Sequence, residues 1–302
     1  MQAIRDRTVF LEATQERNPE LLRIAAELHR EGIIAPSTFV LDIDRIADNA
    51  RILSTEANRF GIAVYVMTKQ AGRNPFMARA ALLGGIPAAV AVEFAEACIL
   101  HLHKVPLGNI GHLVQVPMRD VPQALDMLPE VMTVFTIDQA QHVSSAAMHK
   151  GMQQDILLRV LDEADFSYPG QQGGFRLVDL PEAISTIRKL DGVRPTGVTS
   201  FPCLCYDDQL QEVRPTPNFS TLLDAADLLR RNFAVTVKQV NAPSVTCAAT
   251  IPLLASMGAT HGEPGSALTG NTPLHAVTMQ PEVPAQVYVS EVVSTRDNEA
   301  YC

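Results

Sequence analysis

The sequence lacks any apolar run long enough to form a membrane-spanning helix, and it has no excess of basic residues. It carries 24 Lys and Arg against 33 Asp and Glu, which gives a net charge of −9 and a pI near 5.4. That balance argues against binding to nucleic acid or to an anionic membrane surface. Residues 1–22 carry charges throughout and have no signal-peptide core. We therefore expect a cytoplasmic protein.

The cysteines are few, and their spacing is irregular. There are five, an odd number, and none lies in a CxxC pair. Cys203 and Cys205 alternate along an extended segment, but no histidine cluster follows at zinc-site spacing. The sequence predicts reduced thiols and no metal site.

The sequence also lacks a GxGxxG motif after its first apolar run, yet a strand–helix rhythm fills most of its 302 residues. Eight short apolar runs predict strands: Ala63–Met67, Ala88–Val92, His112–Val116, Met132–Ile137, Ile156–Leu161, Thr196–Ser200, Val235–Val240 and Ala259–His261. Segments with helical periodicity lie between them, including Phe76–Leu83, Val121–Met127, Asp138–Met148, Leu180–Leu190 and Ser220–Asn232. Strands that are apolar on both faces and alternate with helices form parallel sheets. The fold class predicted is α/β, a (β/α)8 TIM-like barrel, with an open doubly wound sheet as the alternative.

The ends of the chain differ from this pattern. We expect a helical extension over residues 1–35, the barrel over 36–272, and the start of an incomplete β-rich domain over 273–302. Ala285–Val293 alternates like one strand of an antiparallel sheet, and a single strand is not stable alone. Either the chain is cut inside a second domain, which we favour, or this segment pairs with the predicted strand Thr38–Ile43 or with another subunit.

Polar residues follow several predicted strands, at the barrel face where active sites form. Lys69 and Arg73 follow the first strand, Arg159 lies on the fifth, and Ser200 ends the sixth. Lys69 ends an apolar run, where a cation is costly. It is either a surface lysine that extends to solvent or a desolvated amine suited to Schiff-base chemistry.

Two later loops suit an anion. Ser244 and Thr246 follow the seventh strand where a helix is predicted to open, and free N–H groups at a helix start attract phosphate. The alternative for both is simple helix capping. Gly265 and Ser266 follow the eighth strand, and phosphate sites after strands seven and eight recur in this barrel. Glu263 is either a surface residue in a turn or part of the same pocket, whereas His112 is predicted to lie in the core.

Four segments carry a resemblance to a known family: LDID at 41–44 with Asn49 downstream, YVMTKQAGRNP at 65–75, VNAPSVTCAAT at 240–250 and ATHGEPGSALTGNTP at 259–273. Together they resemble the alanine racemase-like barrel of fold type III pyridoxal phosphate (PLP) enzymes. The TKQ and EPG segments are closest to the YhfX group of predicted amino acid racemases.

The resemblance implies a PLP-binding barrel of alanine racemase type and assigns roles to residues. Lys69 resembles the Schiff-base lysine, which is also the base on one face of the substrate. Glu263 stands where alanine racemases have an arginine that faces the pyridine nitrogen, and a carboxylate there favours the protonated ring. The remaining implied cofactor contacts are Arg73, Arg159, Ser200, Ser244, Thr246, Gly265 and Ser266.

The implied activity is amino acid racemisation through a Lys69 aldimine and a quinonoid intermediate, in a homodimer whose subunits share their sites. The second base would be a tyrosine from the second domain of another subunit. Two departures from the racemases are Gln172 in place of an arginine and Ser200 in place of a ring-facing histidine. A PLP-dependent decarboxylase or lyase, a non-catalytic PLP-binding regulator, and a barrel that binds a phosphorylated metabolite remain alternatives.

Overall fold

The secondary structure comes from a computed structural model that describes residues 9–297 and 299–302. The helices are α1 (Val9–Arg17), α2 (Pro19–Arg30), α3 (Ile43–Phe60), α4 (Pro75–Leu83), α5 (Phe94–Leu102), α6 (Val121–Asp126), α7 (Ile137–His149), α8 (Leu180–Ile187), α9 (Pro217–Phe233) and α10 (Ile251–Ser256). The strands are β1 (Thr38–Leu41), β2 (Ala63–Met67), β3 (Ala88–Ala91), β4 (Leu107–Ile110), β5 (Val131–Val134), β6 (Gln154–Leu161), β7 (Phe175–Arg176), β8 (Val193–Thr199), β9 (Leu204–Asp207), β10 (Glu212–Pro215), β11 (Gln239–Asn241), β12 (His261–Gly262), β13 (Gln286–Val289), β14 (Ser294–Arg296) and β15 (Glu299–Tyr301). Within these ranges no helix is both long and apolar enough to cross a membrane.

Eight parallel strands close into a barrel. Strands β2, β3, β4, β5, β6, β8, β11 and β12 pair in a ring, because β5 bonds both β4 and β6, and β12 bonds both β11 and β2. Most of the strand residues are buried, as expected for strands covered by side chains inside and helices outside. The predicted (β/α)8 barrel is confirmed, and the open doubly wound sheet is excluded by the closure.

The predicted position of the third barrel strand was wrong. The strand is Leu107–Ile110, and His112–Val116 forms the loop that follows it. Gly111 lies between the two at a φ of +85°, and this left-handed residue turns the chain out of the sheet. The apolar pattern did not predict the strand Leu107–Ile110, because Gly108 and Asn109 interrupt its apolar run.

Both interruptions have a tertiary cause. A Cβ at Gly108 would lie 2.2 Å from Cε1 of Tyr65, so only glycine fits beside that buried ring. Asn109 accepts a hydrogen bond of 2.8 Å from the hydroxyl of Thr133 on the neighbouring strand. The Oδ1 of this polar residue is therefore satisfied inside the barrel, where the sequence pattern expects an apolar residue, while its buried Nδ2 has no hydrogen-bond partner among the described residues.

The seventh predicted strand begins too early. Residues 235–238 precede β11, and the N–H of Val235 still bonds the carbonyl of Leu229 in α9. Ala234 ends α9 in the left-handed conformation, at a φ of 50°. Val235 therefore completes the end of the helix, and the chain enters the sheet only after it.

The C-terminal strand pairs with the N-terminal one. Strands β1 and β13 form an antiparallel pair that runs from Thr38 opposite Val289 to Leu41 opposite Gln286. Of the three accounts of residues 285–293, pairing with the N-terminal strand is the one that the structure shows. The domain limits at residues 35 and 272 remain predictions.

Asn49 holds the segment before β13 against helix α3. Its Nδ2 donates to the carbonyls of Leu268 (3.0 Å) and Val283 (2.8 Å), and its Oδ1 accepts from the N–H of Val283 at 2.8 Å. The side chain is fully buried, so water cannot replace these three bonds. Asn49 therefore fixes how the end of the barrel domain packs.

We expect Asn49→Ala to lower the free energy of unfolding by about 2–4 kcal/mol, because it leaves buried backbone groups of Leu268 and Val283 unpaired. Urea denaturation measures the change. Asn58→Ala on the exposed side of the same helix is the matched control, and it should change stability by less than about 0.5 kcal/mol. Equal effects for the two variants would contradict the assigned role of Asn49.

Candidate active site

Six of the nine predicted site residues line one cavity of about 220 Å³ at the carboxyl ends of the barrel strands. They are Lys69, Ser244, Thr246, Glu263, Gly265 and Ser266. A larger groove of about 640 Å³ lies outside the barrel, beside Asp48 and Arg51. These two charges pair with each other at the surface at 2.6 Å. The smaller cavity is the candidate site because it collects buried polar groups at the barrel face that carries chemistry.

Lys69 stands at the mouth of the cavity, directly after β2. Thr68, its neighbour, is fixed by a 2.6 Å hydrogen bond to the buried carboxylate of Glu96. The Lys69 amine lies 5.4 Å from the centre of the Phe201 ring. Partial desolvation lowers the pKa of Lys69, and the carboxylates of Glu263 and Glu96 oppose that change. A lysine of lowered pKa supplies more neutral amine, which is the nucleophilic form.

Glu263 lies on the floor of the cavity and is buried, so the surface alternative for it is wrong. Its Oε1 accepts a 2.7 Å hydrogen bond from Nδ2 of Asn241. Its Oε2 has no hydrogen-bond partner among the described residues. Burial raises the pKa of Glu263 to about 7, whereas the hydrogen bond from Asn241 and the charge of Lys69 lower it. The free oxygen is the polar group that a ligand in this cavity can satisfy.

The loop after β11 differs from its prediction. Helix α10 begins at Ile251, so Ser244 and Thr246 neither open it nor cap it. Ser244 has a φ of 106° and Val245 a φ of 45°, and these left-handed residues keep the chain out of helix. The Ser244 hydroxyl donates to the carbonyl of Leu204 at 2.7 Å. An anion here would meet a strained loop rather than the N-terminus of a helix.

Thr246 and Gly265 join this loop to the end of β12. The Thr246 hydroxyl accepts a 3.1 Å hydrogen bond from the N–H of Glu263. A Cβ at Gly265 would lie 2.6 Å from Nε2 of Gln70, which donates to the carbonyl of Met67. Glycine therefore allows the turn that bears Lys69 to lie directly against the loop that bears Glu263.

Arg73, Arg159 and Ser200 do not line the cavity. Arg73 forms a 2.9 Å ion pair with Glu93 near the surface. The buried Arg159 donates to the carbonyl of Gln171 at 2.6 Å, and Ser200 is buried beside Asn218. Their assignment as cofactor contacts remains a prediction.

Two functional candidates were missed. His112 was expected inside a strand; it is buried, but it follows β4, and its Nε2 lies 3.5 Å from Oε2 of Glu263. Glu96 accepts from the N–H of Val92 at 2.7 Å as well as from Thr68. A glutamate within the apolar helix α5 was the available signal for Glu96. For His112 the sequence offered no such signal.

The sequence model of the family "Alanine racemase, N-terminal domain" matches residues 41–273. The chain belongs to this family. It is a family of fold type III PLP enzymes. The family normally binds PLP, and the family relationship leaves the reaction open.

Individual proteins that are similar to the chain agree with this assignment. The uncharacterized protein YhfX of Escherichia coli (strain K12) is 42% identical over 294 residues, which are 97% of this chain and 76% of that protein. The alanine racemase of Corynebacterium glutamicum superposes with a TM-score of 0.64 at 16% identity, over 83% of this chain and 67% of that one. The D-threo-3-hydroxyaspartate dehydratase of Delftia sp. HT23 superposes with a TM-score of 0.60 at 18% identity, over 84% and 66%. At such identities the two structures show the shared fold alone.

The residues of the cavity fit the cofactor of the family. The amine of Lys69 is available at the mouth, and the unpartnered Oε2 of Glu263 can accept from a protonated pyridine nitrogen. Gly265 and Ser266 provide a close backbone approach and a hydroxyl for a phosphate. The donor set thus offers a partner for the aldehyde, the ring nitrogen and the phosphate.

Proposed function

We propose that this protein is a PLP-dependent amino acid racemase that uses Lys69 as cofactor anchor and as base. The observation that carries the proposal is that Lys69 and Glu263, which follow different strands, line the same cavity. An amine of lowered pKa and a buried carboxylate with a free oxygen are the two groups that this chemistry needs from the barrel.

Residues of this chain would bind the cofactor and move the substrate proton. Ser266, the backbone at Gly265 and the loop around Thr246 would hold the phosphate, and Glu263 would hold the ring nitrogen. When bound, the cofactor stabilises negative charge at the substrate α-carbon. The Lys69 amine would then take the α-proton on its Nζ and hold it on one face of the substrate.

Glu263 favours a strong electron sink. A carboxylate beside the pyridine nitrogen stabilises its protonated form, whereas an arginine, which does not give up its own proton, leaves that nitrogen unprotonated. The same arrangement would also serve decarboxylation or elimination. We therefore propose the racemase reaction because the chain belongs to the alanine racemase family, and the products of the reaction test this proposal.

We also propose that the protein works as a homodimer. Inversion at the α-carbon by a two-base route needs a second acid on the face opposite Lys69. Among the described residues that line the cavity, Lys69 is the one amine and Glu263 the one carboxyl group. A partner copy would supply the second acid, and sedimentation analysis measures the assembly.

We also propose a cytoplasmic location, because all five cysteines are free thiols and free thiols are typical of a reducing compartment.

The reaction is tested with purified protein, added PLP and a panel of L-amino acids in deuterated water. A racemase produces the D-enantiomer with deuterium at the α-carbon, which chiral chromatography with mass detection measures. Amine or keto-acid products would replace the racemase proposal by decarboxylation or elimination. A protein that binds PLP but gives neither α-proton exchange nor any of these products would be a cofactor-binding regulator, and the enzymatic proposal would be wrong.

A further inference from the structure

His112 is a buried histidine that the proposed reaction does not yet use. It lies directly after β4, and its side chain is 1% exposed. Its ring packs edge-on against Phe201, with centroids 5.9 Å apart. Neither ring nitrogen has a hydrogen-bond partner among the described residues. A buried imidazole without any partner is costly, so the arrangement requires an explanation.

The nearest unsatisfied group is on Glu263. Nε2 of His112 lies 3.5 Å from Oε2 of Glu263, just beyond ordinary hydrogen-bond length, and Oε2 is unpartnered as well. Oε1 of the same carboxyl is already held by Asn241. Two unsatisfied groups that face each other across this distance form a hydrogen bond after a small rotation of either side chain.

The surroundings keep His112 neutral. Burial lowers the pKa of His112 well below its ordinary value, and the cations Arg159 on β6 and Lys69 after β2 lower it further. The guanidinium of Arg159 also lies close to the carbonyl of His112, at 3.5 Å. A neutral imidazole has a single N–H to donate. With that proton on Nε2, the ring is a fixed donor and not a competing base.

Charged groups on other elements also face Glu263. Lys69 lowers its pKa and Glu96, on α5, raises it, while the Asn241 amide on β11 donates to it. Among these groups His112 is the one placed at the oxygen that Asn241 leaves free.

We infer that His112 is a positioning residue that donates from Nε2 to Oε2 of Glu263 and favours the ionised form of this carboxyl. The inference rests on the proposed function, in which Glu263 faces the ring nitrogen of PLP. An ionised Glu263 leaves the proton on the pyridine nitrogen, so His112 sets the strength of the electron sink without touching the reacting atoms.

The direct test uses the protein without cofactor. Infrared titration follows the carboxylic acid band of Glu263, which is assigned by its loss in Glu263→Gln. His112→Phe should raise the pKa of Glu263 by about one to two units, because a hydrogen bond to a charged group is lost. His112→Gln restores an N–H near the position of Nε2 and should return the pKa to within about half a unit of wild type.

His261→Phe provides the matched control. It removes another largely buried barrel histidine, whose Nδ1 bonds the hydroxyl of Thr260 rather than Glu263. It should leave the titration of Glu263 unchanged. Nitrogen-15 NMR of wild-type histidines is a second measurement, with the His112 signals assigned by their loss in His112→Gln. We expect the His112 proton on Nε2 across neutral pH.

Two results would overturn the inference: a Glu263 titration that His112→Phe leaves in place, or a His112 proton found on Nδ1. The NMR measurement needs no Phe variant, so a misfolded His112→Phe leaves the test intact. In the cofactor-loaded protein, the pH at which the absorbance of PLP changes should shift in the same direction as the pKa of Glu263. If PLP does not bind but the titration shifts, only the proposed function fails.

Discussion

Lys69→Ala should abolish the covalent retention of PLP and lower turnover by at least about 10³-fold. The amine is the one lysine among the described residues that line the cavity, and its lowered pKa supplies the neutral form that attacks the aldehyde. Borohydride reduction followed by peptide mass spectrometry should find a pyridoxyl group on Lys69 in the wild-type protein. The variant should carry none.

Lys104→Ala is the matched control for this experiment. Lys104 is exposed and lies after α5, outside the cavity. Its replacement should leave labelling and turnover unchanged. A pyridoxyl group on another lysine, or turnover that survives Lys69→Ala, would place the anchor elsewhere in the chain.

Glu263 should make the cofactor-free protein lose stability as pH rises. Burial raises its pKa from 4.5 to about 7, so the folded protein binds this proton more tightly than the unfolded chain does. The contribution is fully present below pH 4.5 and is lost as pH rises to about 7. At 1.36 kcal/mol for each pKa unit, the loss is about 3 kcal/mol.

Glu263→Gln isolates this contribution because it keeps the shape and removes the charge. Urea unfolding of both proteins from about pH 4 to about pH 8 measures the difference. The wild-type curve should fall relative to the variant by about 3 kcal/mol over that range. If the free energies of unfolding of the two proteins change in parallel with pH, Glu263 is ionised over the whole range. His112 and Asn241 would then stabilise its charge more strongly than the geometry implies.

The fold was predictable because each barrel strand is a short apolar run between helical segments. That periodicity depends on local sequence, and it placed β2, β3, β5 and β6 to within two or three residues at either end. It failed at β4, where Gly108 makes room for Tyr65 and Asn109 bonds Thr133. It did not mark helix α5, because this helix exposes apolar residues such as Ile99 and Leu102 and buries Glu96, so that it has no clear polar face.

The candidate site was predictable for four residues that lie within four positions of the end of a strand. Lys69, Glu263, Gly265 and Ser266 came from that rule and from the resemblance to a family, and the structure places them around one cavity. Ser244 and Thr246 reached the cavity by a loop rather than by the predicted helix. For residues behind the cavity wall, no local pattern distinguishes a core side chain from a functional one.

The sequence by itself determined the barrel, the family and the lysine at the exit of β2, because these follow from periodicity and from contiguous motifs. The tertiary structure decided how the anchoring lysine relates to its electronic partner. It placed Glu263 within hydrogen-bond distance of Asn241 and next to His112, and it left one oxygen of the Glu263 carboxylate unpaired. Burial raised the pKa of Glu263. Burial and contacts between strands far apart in the chain set these properties, and no single stretch of sequence contains them.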